Sequence, residues 1–184
     1  AGLFAALGLV ERGIPSLILE RGKPIGPRRR DVARLGREGA LDPESNMNFG
    51  EGGAGAYTDG KLTTRITHPS VRKVIEVFAR FGAPEQILTD AKPHIGSDLL
   101  PGAVTGLRAW LEAQGCEVRF GARVVDVLRD ASGRCTGVRL ADGTELRSDR
   151  VILAPGNSAR DLYERFFADG WVLEAKPFAI GFRA

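Results

Sequence analysis

"AGLFAALGLVERGIPSLILERG", residues 1–22, decides the fold. Ala and Leu dominate residues 2–12, and Gly13 follows as a helix stop. The next apolar run, residues 16–19, is closed by Glu20 and Gly22 and reads as a short buried strand. A helix that runs into a buried strand within so few residues is the second half of a βαβ unit, which sets the class as α/β. The pattern expects a further strand ahead of Ala1. With no Met at its start, the stretch reads as a segment cut from a longer chain.

The same stretch carries a spacing. A dinucleotide fingerprint needs its third glycine inside the helix, where helix and strand approach closely, and an acid at the end of the second strand to bind a ribose hydroxyl. Gly2 stands just inside the helix and Glu20 ends the strand, 18 positions later (20 minus 2). Ala1 and Gly2 therefore read as the last two positions of a G-x-G-x-x-G. A carboxylate at Glu20 repels a 2′-phosphate and argues against the NADP form of such a site.

Further along, residues 23–43 are basic and bounded by Pro and Gly, and read as a loop with a short helix. Residues 48–61, "NFGEGGAGAYTDGK", are followed by the strand-like "KLTTRI". "HPSVRKVIEVFARFG" places Val71, Val74, Val77, Phe78 and Phe81 at helical spacing, and "APEQILTDA" continues as a second short helix. "LPGAVTGLRAWLEAQG" is another amphipathic helix, with Val104, Leu107 and Leu111 on one face. The pattern then switches to period two in "CEVRFG", "RVVDVLRD", "TGVRLADG" and "TELRSDRVILAPG", joined by the turn signals "DASGR" and "ADGT". Residues 151–154 are wholly apolar and end at Pro155-Gly156, as expected of a buried central strand that meets a ligand at its C-terminal end. "NSARDLYERFFADG" reads as a helix capped by Asn157 or Ser158, and "FAIGFRA" as the start of a new strand.

The glycine run satisfies two nucleotide patterns in name only. Gly50, Gly52 and Gly55 spell G-x-G-x-x-G, but no strand precedes them, and 18 positions beyond Gly55 stands Lys73 rather than an acid. Gly55, Gly60 and Lys61 spell G-x-x-x-x-G-K, but Leu62 stands where a phosphate loop needs Ser or Thr for magnesium. A third reading remains beside that of a mobile loop. Glycine at 50, 52, 53 and 55 bares consecutive backbone N–H groups, which can cradle phosphate or approach a flat ring. Asp59 and Lys61 add one charge of each sign at the exit.

Composition narrows the classes. The 184 residues are 43% hydrophobic and 27% charged, ordinary for a globular protein, and no apolar run approaches the length of a membrane span. Cys116 and Cys135 form neither C-x-x-C nor a metal-ligand spacing, which fits a reduced, cytoplasmic protein without a redox-active disulfide or metal site. The net charge of +3 owes much to Arg28, Arg29, Arg30, Arg34 and Arg37, a run that reads either as a solvated helix face or as a phosphate grip. It lacks interleaved aromatics, which weighs against nucleic acid as a partner. Of the two histidines, His68 precedes Pro69 and reads as a loop residue, while His94, beside Lys92 and Asp98, is the candidate catalytic group.

Taken together, "AGLFAALGL…LILERG", "NFGEGGAGAYTDGKLTTR", "KPHIGSDLLPG", "VILAPGNSARD" and "KPFAIGFR" resemble the bacterial FAD-dependent dehydrogenases of the glutathione-reductase-like flavoprotein type. The resemblance covers nearly the whole chain and is most specific in "GEGGAGAYTDGKL". It implies a Rossmann-like FAD-binding fold with a three-stranded β-meander and a mostly helical insertion. The FAD domain would comprise residues 1–43 and 101–170, the glycine loop and helical insertion residues 44–100, and a second, substrate domain would begin at 171–184. It further implies that Ala1, Gly2, Glu20 and Arg21 hold the ADP half of FAD, that Arg123 and Val124 meet adenine, and that Ala154 and Gly156 pass the phosphate and ribityl part. Gly52, Gly53, Ala54 and Gly55, with Asp59 and Lys61, would face the flavin, which accepts hydride from a small-molecule substrate or passes electrons to a partner. Two alternatives stand beside it: an RNA-modifying or nucleic-acid-associated flavoprotein, and a non-catalytic dinucleotide-binding module.

Overall fold

The computed structural model describes residues 1–57, 60–62, 64 and 66–177. Asp59, both Thr63 and Arg65 of "KLTTRI", and the expected strand in "FAIGFRA" lie outside the described residues. The architecture is mixed α/β with two small sheets.

Helix α1 (Gly2–Val10) leads through a turn, with Gly13 at φ 74°, into strand β1 (Leu17–Leu19). Helix α2 (Ile25–Glu38) is longer than its sequence suggests, because Pro27 sits harmlessly in its first turn and its arginines are good helix formers. It ends at Gly39, whose left-handed φ of 67° lets its N–H return to the Leu35 carbonyl. Helices α3 (Ser70–Arg80) and α4 (Leu100–Ala113) follow, separated by a 3-10 turn at Glu85–Leu88. Strand β2 (Glu117–Arg119) then pairs parallel with β1, Leu17 opposite Glu117 and Leu19 opposite Arg119. Strands β3 (Val124–Arg129), β4 (Cys135–Leu140) and β5 (Glu145–Arg147) form an antiparallel meander, and helix α5 (Arg160–Ala168) packs on it. The two hairpin turns are those read from the sequence. Asp130 accepts the N–H groups of Ser132 and Arg134, and Asp142 accepts that of Thr144.

Three apolar clusters hold these elements. Ala6, Leu7, Val77, Leu107, Leu111 and Cys116 join α1, α3 and α4 beneath Ile18 of β1. Ile87, Ile95, Leu100 and Val104 join the insertion to the front of α4, and Val127, Val138, Leu162 and Phe166 seal the meander against α5. Val104, Leu107 and Leu111 are all buried, as their spacing predicted.

Several expectations are corrected. Residues 151–154 form no strand, and Ile152 and Leu153 are 62% and 42% exposed, because an apolar run becomes a strand only where a neighbour completes its ladder. β1 is only half-buried, with Leu17 exposed at its start: its one ladder partner among the described strands is β2. Val74 faces solvent on α3, where Val77 takes the core. Ala159, not Asn157 or Ser158, stands at the cap position of α5, with no side-chain cap.

Candidate functional site

The carboxyl end of the parallel pair is where an open α/β layer binds ligands, and here it is closed by the glycine run. Glu20 leaves β1 and accepts, on one oxygen, the N–H groups of Gly22 (2.8 Å) and Gly50 (2.9 Å). Gly22 and Gly50 must be glycine for the chain's own sake. A Cβ on Gly22 would lie 2.5 Å from the Gly50 backbone, and one on Gly50 would lie 2.3 Å from Cδ of Arg28. The Gly22 carbonyl and the Glu20 carbonyl meanwhile accept the N–H groups of Gly121 and Ala122, which ties the end of β2 to the same spot.

Arg28 is the hub. It is fully buried, and its guanidinium donates to five main-chain carbonyls. Nε reaches Asn46 (2.9 Å), Nη1 reaches Gly50 (3.2 Å) and Glu51 (2.5 Å), and Nη2 reaches Met47 (3.1 Å) and Gly53 (2.8 Å). A guanidinium has five N–H donors, so its capacity matches the acceptors present. Tyr57 lies over it, 4.9 Å from ring centre to guanidinium carbon. Burial pulls the Arg28 pKa below its ordinary value, against the opposing pull of Tyr57, Glu20 and Glu51.

Glu51, inside the glycine run, is 4% exposed. One of its oxygens accepts the Ile25 N–H (2.8 Å), an otherwise orphaned donor of the first turn of α2, since Pro24 offers no side-chain cap. The other takes Arg108 Nε of α4 at 2.6 Å. Burial works to lower Arg108, but the hydrogen bond and charge of Glu51 leave its pKa above the ordinary value. Residues 50–53 of the glycine run are therefore fastened at three points, by Glu20, Arg28 and Arg108.

The N–H groups on the opposite side of the clamped peptides follow from geometry. In a trans peptide the C=O and N–H point in opposite directions. With the carbonyls of Glu51 and Gly53 drawn onto Arg28, the N–H groups of Gly52 and Ala54 face away from it, and both residues are exposed. The run continues as a 3-10 turn, Gly53–Tyr57. A Cβ on Gly55 would meet nothing within 4 Å, and its φ does not demand glycine.

The other sequence-predicted residues fall into groups. Arg21 lies 4.0 Å over the Phe49 ring and pairs with Glu44 (3.0 Å) and Asp161 (3.1 Å). Arg123 reaches the same two acids at 3.2 and 3.7 Å, so Arg21, Glu44, Arg123 and Asp161 close an ionic ring. The ring draws together the end of β1, the start of β3 and the start of α5. Val124 begins β3 opposite Leu140. Ala154 and Gly156 are exposed, and the Gly156 carbonyl accepts the Tyr163 hydroxyl. Ala1 and Gly2 open α1, and a Cβ on Gly2 meets nothing within 4 Å, so no described neighbour requires glycine there. Lys61 and His94 stand opposite each other in an isolated antiparallel bridge, flanked by Leu62 N–H to Pro93 O and Ile95 N–H to Gly60 O. The exit of the glycine run and the "KPHIG" stretch are thus one unit, and His94 is exposed.

Sequence reasoning missed Arg28 and Glu51. A solvated face or a phosphate grip suits exposed Arg29, Arg30, Arg34 and Arg37 but not Arg28. The available signal was an acid, Glu51, set within a run of glycines, where no solvated role calls for one. Two open clefts lie elsewhere, one beside Asp31 and Arg34 and one between Asp126, Arg129 and Arg165. Among the described residues no group of His, Cys, Asp and Glu could hold a metal ion, and no helix is long and apolar enough to cross a membrane.

No family model matches the chain. An uncharacterized protein of Clostridium beijerinckii is 38% identical over 183 residues, covering all of this chain and 34% of that protein. The chain thus spans about a third of that relative's length. Among solved structures, a mutant of P. aeruginosa PqsL aligns with a TM-score of 0.47 at 17% identity, over 96% of this chain and 45% of PqsL. A thermally stable mutant of fructosyl peptide oxidase aligns with 0.41 at 15% identity, over 77% of this chain and 50% of the oxidase. Both alignments cover half or less of the matched chain, at scores too low to fix a shared fold.

Proposed function

We propose that this chain is part of the FAD-binding domain of an FAD-dependent oxidoreductase. The observation that carries the reading is the fastening of the glycine run at the carboxyl end of the β1–β2 pair, with Gly52, Ala54 and Gly55 left exposed. Three further features support it: the Gly2–Glu20 spacing, the resemblance in "GEGGAGAYTDGKL", and the antiparallel meander after β2.

The donor set suits such a cofactor. Glu20 spends one carboxylate oxygen on Gly22 and Gly50, which leaves the other to accept a ribose hydroxyl. The outward N–H groups of Gly52 and Ala54 suit phosphate or ring carbonyl oxygens, and the open space over Gly55 admits a flat ring. When bound, the flavin supplies the hydride chemistry. The residues of this chain bind and orient it, and the backbone bridge of Lys61 with His94 closes the exit of the same loop.

Two measurements test the reading. The purified protein should carry or take up FAD, seen as the flavin visible absorption band; a colourless protein that cannot be reconstituted with FAD overturns it. Gly55→Val should weaken FAD retention while leaving the unfolding transition nearly in place, since no described atom lies within 4 Å of the added Cβ.

A further inference from the structure

Arg28 fastens more of the glycine run than any other residue, and it does so while itself fully buried. We infer that Arg28 is the positioning residue of the glycine surface: by collecting five carbonyls it sets the direction of the N–H groups that face the ligand. The inference rests on the flavin reading above and deepens it.

The argument is one of alternatives. A run with glycine at 50, 52, 53 and 55 has the widest conformational choice of any in the chain, and each peptide in it can flip. A flipped peptide presents a carbonyl where a donor is needed and repels phosphate or a ring oxygen. Arg28 removes that choice at the peptides following Asn46, Met47, Gly50, Glu51 and Gly53, because each flip would leave a buried guanidinium donor unmet. The Glu51 N–H, directed away from Arg28 by the same logic, is taken by the Lys23 carbonyl, and that of Asn48 by the Asn46 side chain. Of the exposed positions whose N–H groups the clamp turns outward, Met47, Gly52 and Ala54, the last two lie within the glycine run. Lysine cannot substitute. Its ammonium offers three donors from a point, against five from a planar fork.

The experiment compares the parent protein with Arg28→Lys and with Leu111→Ala, a fully buried core residue of α4 that serves as a control for general loosening. Folding is followed by circular dichroism and FAD affinity by fluorescence titration. Arg28→Lys should weaken FAD binding roughly tenfold or more, beyond anything Leu111→Ala does, since lysine's three donors cannot hold the five carbonyls that the guanidinium gathers. A second measurement needs no variant: on adding FAD to the parent protein, amide exchange at Gly52 and Ala54 should slow. A parent protein that does not bind FAD overturns the flavin reading and this inference with it. A parent that binds FAD, with a folded Arg28→Lys within twofold of it or no weaker than Leu111→Ala, overturns the role of Arg28 alone. Unchanged exchange at Gly52 and Ala54 does the same, and it decides the matter if Arg28→Lys fails to fold.

Discussion

Gly50→Ala adds one carbon atom and should cost this protein most of its stability. The backbone at Gly50 has φ 118°, outside the regions open to L-residues, and enforcing it on alanine costs about 1–3 kcal/mol. The new Cβ would also sit 2.3 Å from Cδ and 2.8 Å from Nε of Arg28. These are mid-chain atoms of a side chain held at its far end by five hydrogen bonds, so they cannot swing aside. If Arg28 withdraws far enough to lose two of those bonds, the loss is about 3–6 kcal/mol. The sum of about 4–9 kcal/mol rivals the roughly 5–15 kcal/mol by which a whole domain is stable. Urea unfolding followed by circular dichroism reads the result. Gly55→Ala is the internal control, since its Cβ meets open space and its φ is permitted; it should fall within about 0.5 kcal/mol of the parent or gain slightly from a stiffer unfolded chain. A Gly50→Ala protein that unfolds within about 1 kcal/mol of the parent would show that Arg28 does not hold the loop as described.

Three other outcomes follow from the same network. Glu51→Gln should destabilise by about 2 kcal/mol, less than the 3–5 kcal/mol of a fully buried pair because Arg108 is partly exposed and keeps Glu112; a double-mutant cycle with Arg108→Gln should return a coupling above about 0.5 kcal/mol, and additivity would sink the pairing. Asp42 is held below its ordinary pKa of 3.8 by its hydrogen bond from Lys23, then by the Glu44 N–H. A lowered carboxyl contributes stability that is present above its unfolded pKa and lost as pH falls through the folded one, so Asp42→Asn should flatten the stability curve below about pH 4; an unchanged slope there refutes it. Gly22→Ala should destabilise nearly as much as Gly50→Ala, because its Cβ meets backbone rather than a side chain, and a parent-like midpoint would contradict that contact.

How far the sequence reached depended on whether each property was local. Helices α1 and α4 and the meander were legible because periodicity and turn chemistry act within a few residues, as Asp130 and Asp142 do in the hairpins. Residues 151–154 misled because their apolar character says that they want burial, while a strand also needs a partner's ladder. The sequence places Glu20 at the end of the first strand, where it stands in the structure, but does not show that its carboxylate holds Gly22 and Gly50. Arg28 was hidden by the habit of assigning arginine to solvent, which holds only where no set of carbonyls can match its donors.

The glycines of residues 50–55 have two causes, and the distinction bears on function. Gly50 and Gly52 are glycine for the chain's own reasons, since each has a positive φ and a Cβ there would strike Arg28 or Ala56. Gly53 needs glycine only for its φ of 64°. At Gly55 neither reason applies among the described residues: the position is exposed, its φ is ordinary and no described atom meets a Cβ there. A glycine there lowers stability relative to alanine. If a ligand ring lies over Gly55, the residue has a use that the folded chain alone does not give it. The comparison of Gly55→Ala with Gly55→Val therefore separates the two causes: both should fold, and FAD retention should fall as the side chain grows. Equal retention in the two would mean that the open space is merely solvent.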